Sequence, residues 1–175
     1  KHKISLSPTL GMVKVEGALL DTLAFQSHRY PDVDMPYLLN QIAGWQTAKA
    51  KLPTWAANED IIYPPHLSME QCSSEQTADY KLQLAARLLT TATGSNAASH
   101  ALSQIVPESL LVDLTGGFGV DFSFISRCFE RAVYVEQQKK LCEVAQHNFQ
   151  VLGLSQVEVV HADSTEYLHS LSHAT

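Results

Sequence analysis

The stretch LLVDLTGGFGVDFSFI, residues 110–125, decides the fold. Its apolar start, Leu110–Leu114, predicts a short strand, and the segment Val120–Cys128 predicts a helix. Three glycines in four positions lie between the two: Gly116, Gly117 and Gly119. A glycine has no Cβ atom, so a ligand can approach its backbone closely and positive φ angles are permitted. Because one glycine would serve a ligand-free tight turn, three of them favour a ligand-binding loop over that alternative.

The residues downstream of the loop continue the alternation of strand and helix. Short apolar runs predict strands at Ala132–Val135 and Val157–Val160. A helix over Lys139–Leu152, ended by Gly153, is predicted between them, and a helix over Ser164–Leu171 is predicted after them. Strand, helix, strand, helix, strand is typical of a parallel sheet covered by helices, so the predicted fold class is α/β.

The residues upstream of the loop favour a different organisation. We predict a mostly helical region over residues 1–106, ahead of the α/β domain over residues 107–175. Apolar spacing predicts helices around Leu19–Ala24, from Pro36 to Pro53, from a cap at Ser73 or Ser74 onward, and around Ala97–Ile105. The segment IIYPPHL, residues 61–67, predicts a rigid polyproline-like linker. Four aromatic side chains are expected in the core rather than stacked on bases: Trp45, Trp55, Tyr63 and Tyr80.

The charge balance argues against a strong nucleic-acid grip by this chain. It carries 12 Lys and Arg against 18 Asp and Glu, a net charge of −6. Residues 106–175 hold 4 of the former against 9 of the latter. Proteins that bind phosphate backbones do so with clustered Lys and Arg, and the sequence has no such cluster. If the whole protein acts on RNA, we expect most of the contacts to lie outside this chain.

Composition and spacing also argue against a membrane span, a disulfide framework and a metal site. No stretch approaches the ~20 apolar residues of a membrane span. Cys72, Cys128 and Cys142 form no CxxC pair, so we expect small buried side chains in a cytoplasmic protein. His169 and His173 are four residues apart, but no third ligand accompanies them, and we predict no metal site.

Acidic residues stand at the predicted ends of three successive strands. Asp113 is near the end of the first strand, Glu136 ends the second, and Asp163 follows the third. In open α/β sheets, ligands bind beyond the carboxyl ends of the strands. An acid placed like Glu136, 23 residues after Asp113, commonly accepts hydrogen bonds from ribose hydroxyls, and Asp163 could accept from an adenine amino group. The alternatives are a solvated acid for Glu136 and a helix cap for Asp163, with Glu166 at the capping-box distance.

The order Asp113-Leu-Thr-Gly-Gly-Phe-Gly119 resembles motif I of the class I S-adenosylmethionine-dependent methyltransferases, typically Asp-x-Gly-x-Gly-x-Gly. Thr115 replaces the first glycine of that motif. The resemblance implies a Rossmann-like domain with S-adenosylmethionine as cofactor. It further implies that Glu136 holds the ribose, that Asp163 holds the adenine, and that the backbone of residues 116–119 holds the amino-acid part. Asp113 would then hold the loop or the cofactor's ammonium group.

A second resemblance lies upstream. The segment LSMEQCSSEQTADYKLQLAARLL, residues 67–89, looks like a segment of bacterial methyltransferases that carry a THUMP-like domain. The trimethylguanosine synthases have a related helix start. The loop with Asp121 is similar to theirs and to that of the ribosomal-RNA guanine-N2 methyltransferases. Together the two resemblances imply that Gln71, Ser73 and Ser74 lie near the cofactor's methionine end, against the alternative of a helix cap.

The two resemblances imply the N-terminal part of a methyltransferase that transfers a methyl group to an amino group, with an RNA guanine as the leading acceptor. The fourth-strand motif of such enzymes should follow Asp163 and is not found, so the catalytic residues are not assigned. We therefore expect little or no methyl transfer by this chain alone. Two alternatives stay open. One is a non-catalytic helical adaptor whose Rossmann-like half docks a partner, and the other is a dinucleotide-binding oxidoreductase, against which the glycine order argues.

Overall fold

The computed structural model describes His28, residues 30–92 and residues 105–172. The predicted helix around Leu19–Ala24 lies outside these residues, as does the one around Ala97–Ile105 except for its last residue. The chain divides into two compact units, residues 1–71 and residues 72–175.

The first unit is helical in its described part. Helix α1 spans Met35–Lys51, α2 spans Pro53–Ala56 and α3 spans His66–Gln71. The first turn of α1 contains Pro36, as predicted, and Asp34 caps the helix by accepting a hydrogen bond of 3.0 Å from the Tyr37 N–H.

The linker between α2 and α3 is held by two amide side chains of α1. Residues 61–65 form neither helix nor strand. The Gln41 side chain pairs with both the N–H and the carbonyl of Tyr63 at 2.8 Å, as a neighbouring strand would. The Asn40 amide donates to the carbonyls of Tyr63 and Pro64 at 3.3 and 3.2 Å. Side-chain amides therefore take the place of regular backbone pairing in this proline-containing segment.

The second unit contains the predicted sheet. Its elements are α4 (Glu75–Ala92), β1 (Val106–Asp113), α5 (Val120–Ile125), a 3₁₀ turn (Ser126–Cys128), β2 (Phe129–Glu136), α6 (Lys139–Val151), β3 (Val157–His161) and α7 (Ser164–Ser172). The strands are parallel in the order β1-β2-β3, with Asp113 beside Tyr134 and Glu136 beside His161. This arrangement confirms the predicted α/β class with three parallel strands.

Two details of the second unit differ from the predicted element bounds. Strand β1 begins at Val106, four residues before the predicted start, and its pairing with β2 shifts between Val106 and Leu110. Glu108 has a φ of 59° within that irregular stretch, and the apolar run that predicts the strand begins only after it, at Leu110. The predicted helix after the glycines is divided into α5 and the 3₁₀ turn.

The core of the sheet is built around β2, the middle strand. The rings of Phe122, Tyr134 and Phe149 pack with centroids 5.3–5.6 Å apart, two of the three pairs edge to face. Gly153, at a φ of 72°, follows the last turn of α6 as predicted.

The buried side chains confirm most of the predicted core. Trp45, Trp55 and Tyr63 are buried, whereas Tyr80 is 66% exposed on α4, so the prediction for Tyr80 is wrong. Its helical position lies on the face opposite Ala78 and Leu82, which are buried. Cys128 and Cys142 are buried, as expected of small apolar side chains, and Cys72 is half-buried.

The domain boundary predicted at 106/107 stays a prediction. By contacts, α4 groups with the sheet, because it packs against α5. Among the described residues, no helix has the length and apolar character needed to cross a membrane. Within the same residues, no group of three His, Cys, Asp or Glu side chains is placed to hold a metal ion, and His173 lies outside them.

Candidate cofactor site

The glycine loop closes tightly at the carboxyl end of β1. The Gly116 N–H donates to the Val135 carbonyl at 3.0 Å, which ties the start of the loop to β2. The Gly119 N–H donates to the Gly116 carbonyl at 2.9 Å, and the next helix begins at once. Gly117 and Gly119 adopt φ angles of 57° and 80°, in the left-handed region that side chains with a Cβ atom rarely adopt.

Packing explains two of the three glycines. A Cβ atom on Gly116 would overlap the ring of Tyr134, and one on Gly119 would lie 2.7 Å from the ring of Phe149. A Cβ atom on Gly117 would have only the Thr115 carbonyl oxygen nearby, at 3.7 Å. The sequence argument assigned all three glycines to ligand approach. In the structure, Gly117 is the one with open space beside its Cα, while the other two make room for aromatic rings of the core.

Glu136 ties the loop to the start of α6. Its Oε2 accepts a hydrogen bond from the Gly117 N–H at 3.0 Å, and its Oε1 accepts from the Gln138 N–H at 2.7 Å. The residue is only 7% exposed, so these charge-assisted hydrogen bonds offset part of the cost of burying the carboxylate. Each carboxylate oxygen has a second lone pair, so the group can still accept from a ligand hydroxyl.

Asp113 braces the loop from its other side. Its Oδ1 accepts hydrogen bonds from the N–H and the hydroxyl of Thr115, at 2.9 and 3.2 Å. Thr115, which stands where motif I has its first glycine, therefore forms an Asx-type turn with Asp113. Asp113 pairs with Tyr134 on β2, two residues before Glu136, so the loop begins at the edge of the sheet where Glu136 lies.

Asp163 caps helix α7. Its Oδ1 accepts from the Thr165 and Glu166 N–H groups, at 2.8 and 3.1 Å, which bears out the capping interpretation. The other oxygen, Oδ2, has no hydrogen bond to any described residue, so capping leaves it available to a ligand. The two interpretations of this residue are therefore compatible.

A cavity of about 240 Å³ lies between Glu136 and Asp163. It is lined by Leu114, Thr115, Glu136, Gln137, Gln138, Asp163 and Ser164. Residues at or just after the carboxyl ends of all three strands thus line one cavity. Its lining includes Thr115, Glu136 and Asp163 of the predicted site residues, and does not include Asp113, Gly116, Gly117, Gly119 and Asp121. Complete pockets for small molecules are typically ~300–1,000 Å³, so the lining residues described here would enclose only part of a nucleoside cofactor.

A second polar cluster joins α4 to the helix that follows the loop. Asp121 accepts at Oδ2 from the Ser73 hydroxyl at 2.9 Å and from the Lys81 ammonium at 2.6 Å, and Lys81 also donates to the Ser73 oxygen at 3.1 Å. Ser74 caps α4, since its hydroxyl accepts from the Thr77 N–H at 3.2 Å. Ser73 is therefore brought to the loop region, Ser74 serves as the predicted cap, and Gln71 ends α3 in the first unit.

Burial and charge also set the protonation of two groups near the loop. Burial, followed by the charge of Glu136, raises the pKa of Tyr134 far above its ordinary range. The phenol stays protonated and donates its hydrogen bond to the Gly117 carbonyl. Burial, again followed by Glu136, raises the pKa of the Cys142 thiol, which donates to the Glu136 carbonyl at 3.2 Å.

Several residues of this site were not found by sequence reasoning. Tyr134 and Phe149 shape the loop through tertiary packing, and only their positions in an apolar strand and on an apolar helix face hinted at burial. Lys81 reaches Asp121 across forty positions of sequence, a distance over which no local pattern operates.

Comparisons with known proteins agree with the fold. No protein-family model and no curated protein matches the chain. A solved structure from Porphyromonas gingivalis W83, described as a "putative methyltransferase", aligns over 88% of this chain with a TM-score of 0.60 and 24% identity. This chain spans 38% of the length of that protein. The similarity confirms the Rossmann-like α/β fold and, at this identity, concerns the fold alone.

A second solved structure is more distant. The O-methyltransferase from Bacillus cereus in complex with SAH aligns over 88% of this chain and 57% of its own, with a TM-score of 0.40 and 19% identity. That similarity is too low to support an argument about this chain.

Proposed function

We propose that this chain is the S-adenosylmethionine-binding part of a class I methyltransferase. One observation carries the proposal: Thr115 after β1, Glu136 at the end of β2 and Asp163 after β3 line one cavity. Ligands of open α/β sheets bind at this edge, and nucleosides present the hydroxyl and amino donors that paired carboxylates accept.

The residues fit the chemical groups of such a cofactor. Glu136 is nearly buried and keeps lone pairs for ribose hydroxyls, while Oδ2 of Asp163 can accept from the adenine amino group. Gly117 leaves space for close approach of the amino-acid end to the backbone. Thr115 and Asp113 hold the loop in the shape that makes this approach possible.

When bound, S-adenosylmethionine would supply a methyl carbon for in-line attack by the acceptor, with S-adenosylhomocysteine as the leaving group. The contribution of this chain is to bind and orient the cofactor, since alignment of two reactants lowers the barrier without further chemistry by side chains. The group that aligns the acceptor is not assigned to any residue of this chain. We therefore propose that transfer requires further parts of the enzyme.

The proposed acceptor is an amino group of an RNA base such as guanine, as the narrower resemblance implies. Because residues 106–175 carry a negative net charge, we propose that the RNA contacts lie outside this chain. The same resemblance underlies the proposal of a bacterial enzyme of the THUMP-like group, and the three scattered cysteines underlie the proposal that it is cytoplasmic.

Calorimetric titration tests the proposed cofactor. We expect the chain to bind S-adenosylhomocysteine. NAD and FAD should produce no heat of binding and should not compete with S-adenosylhomocysteine. Binding of a dinucleotide with no response to S-adenosylhomocysteine would favour the oxidoreductase alternative. Absence of any nucleotide binding, together with tight binding of a protein partner, would favour the adaptor. Robust methyl transfer by these 175 residues would contradict the expectation that the chain is insufficient for transfer.

A further inference from the structure

His161 ends β3 and contacts the segment that joins β2 to α6. Its ring nitrogen Nε2 lies 2.9 Å from the Gln137 carbonyl oxygen. A carbonyl oxygen only accepts, so Nε2 carries the proton and the imidazole donates this hydrogen bond. The side chain is exposed, so its contact with the segment is polar rather than part of the core. The inference drawn from this contact rests on the proposed function.

One peptide group in the segment is held from both of its polar ends. The carbonyl of Gln137 and the N–H of Gln138 belong to the same planar peptide. His161 donates to the carbonyl, and the N–H donates to Oε1 of Glu136 at 2.7 Å. Rotation of this peptide would break both hydrogen bonds, so the imidazole opposes a change that would remove a donor from the Glu136 carboxylate. A hydrogen bond to the carbonyl also polarises the peptide and strengthens its N–H as a donor.

The same imidazole joins the two connections that line the cavity. Glu136 and His161 are partners in the register of β2 and β3, and the Ala162 N–H donates to the Glu136 carbonyl at 3.2 Å. Among the described residues, no other hydrogen bond joins Gln137 to β3. Gln137 and Asp163 both line the cavity, and His161 does not. His161 therefore fixes part of the lining from outside it.

We infer that His161 is a positioning residue of the cofactor site, acting through the Gln137–Gln138 peptide on the carboxylate of Glu136. Glu136 is the group proposed to accept hydrogen bonds from the ribose hydroxyls, so the orientation of its carboxylate affects the affinity for the nucleoside. A carboxylate that is already oriented in the free chain loses less conformational entropy when the ligand binds.

Two substitutions separate the hydrogen bond from the size of the side chain. His161→Leu removes the donor, whereas His161→Gln retains an amide N–H for the same carbonyl. We expect His161→Leu to weaken binding of S-adenosylhomocysteine by about fivefold in calorimetric titration, as for one lost hydrogen bond. His161→Gln should rescue the affinity to within about twofold of the unsubstituted chain.

His66→Leu is the matched control, because it removes an exposed histidine from an ion pair within α3. It should leave the affinity for S-adenosylhomocysteine unchanged. Unchanged affinity in His161→Leu, or the same loss in His161→Leu and His161→Gln, would overturn the inference.

Coupling to Glu136 is the readout that a purely structural role of His161 would not produce. In the Glu136→Ala background the carboxylate is absent, so His161→Leu should weaken binding by no more than about twofold further. Residues that act independently would multiply their losses, and a further loss of about fivefold in this background would contradict the inference.

Thermal unfolding shows whether each variant is folded at the temperature of the titration. If His161→Leu does not fold, His161→Thr replaces it, since threonine suits a strand and is too short to reach the Gln137 carbonyl. It should show the same loss of about fivefold, and full affinity would count against the inference. Failure of the unsubstituted chain to bind S-adenosylhomocysteine would refute the proposed cofactor and the inference with it, whereas binding that is insensitive to His161 refutes the inference alone.

Discussion

Gly117 donates its N–H to Oε2 of Glu136 across 3.0 Å, so the acid proposed to hold the ribose also holds the glycine loop. The Tyr134 hydroxyl donates to the carbonyl of the same glycine. The N–H and the carbonyl of Gly117 are thereby both hydrogen-bonded to side chains of β2. Side chains of β2 therefore hold the loop in addition to the hydrogen bond within its own turn. We expect Glu136 substitutions for that reason to change both stability and cofactor affinity.

Glu136→Gln and Glu136→Ala should differ in stability and agree in cofactor affinity. The glutamine oxygen can still accept from one of the two backbone N–H groups, whereas alanine leaves both unpaired, so we expect Glu136→Ala to lower the free energy of unfolding by about 2 kcal/mol more. Both variants should weaken binding of S-adenosylhomocysteine by about tenfold or more. Urea unfolding and calorimetric titration measure the two effects.

The matched control is Glu143→Ala, which removes an exposed acid from the surface of α6. It should change neither quantity appreciably. Full retention of affinity in folded Glu136→Ala would show that this carboxylate does not bind the ligand.

The glycines offer a test of packing against backbone strain. Gly153 and Gly119 both have positive φ, but a Cβ atom on Gly153 would meet nothing within 4 Å. We expect Gly153→Ala to cost about 1 kcal/mol in unfolding free energy, from the φ angle alone. Gly119→Ala should cost about 2–4 kcal/mol, because overlap with the buried Phe149 ring adds to the same φ penalty.

Gly116→Ala isolates the packing effect, since its φ is not in the left-handed region and its Cβ atom would overlap the Tyr134 ring. It should cost about 1–3 kcal/mol. Urea unfolding of the three variants gives the comparison. Equal costs at Gly119 and Gly153 would mean that the Phe149 ring moves aside easily, contrary to its complete burial.

These glycines also show how far sequence reasoning reaches. The period of apolar residues predicted the strands β2 and β3 and the helices α6 and α7 to within a few residues, because side-chain burial repeats with the backbone period. The acids Asp113, Glu136 and Asp163 were placed at one edge, because parallel strands end on the same side of a sheet.

The sequence did not show which residues of distant segments are in contact. Tyr134 lies in an apolar run that predicts burial, yet nothing local indicates that its ring requires the missing Cβ of Gly116. Lys81 is a charged residue on a helix, and its approach to Asp121 depends on how α4 packs against α5. Such contacts depend on tertiary packing, and a periodic pattern carries no information about them.

Asp163 allows its two roles to be separated by a pair of substitutions. Asparagine is as good an N-cap as aspartate, so Asp163→Asn should leave the free energy of unfolding nearly unchanged. Asp163→Ala removes the acceptor for the Thr165 and Glu166 N–H groups and should cost about 1 kcal/mol.

If Oδ2 of Asp163 also accepts from the adenine amino group, both variants should weaken S-adenosylhomocysteine, Asp163→Asn because its amide can present a donor where an acceptor is needed. Thermal unfolding and calorimetry of the two variants report the two roles. Unchanged affinity in both variants would leave Asp163 with the capping role only.

The buried Cys142 thiol predicts a loss of stability at alkaline pH. Its pKa is raised in the folded state, first by burial and then by the charge of Glu136, from an ordinary value of 9.0. The folded chain therefore holds this proton more tightly than the unfolded chain, and the free energy of unfolding falls as the pH rises past 9.0.

Urea unfolding at intervals from about pH 7 to about pH 10 should show the decline. Cys142→Ala should make the decline shallower. Identical slopes for the chain and Cys142→Ala would mean that Cys142 titrates in the folded protein as it does in water.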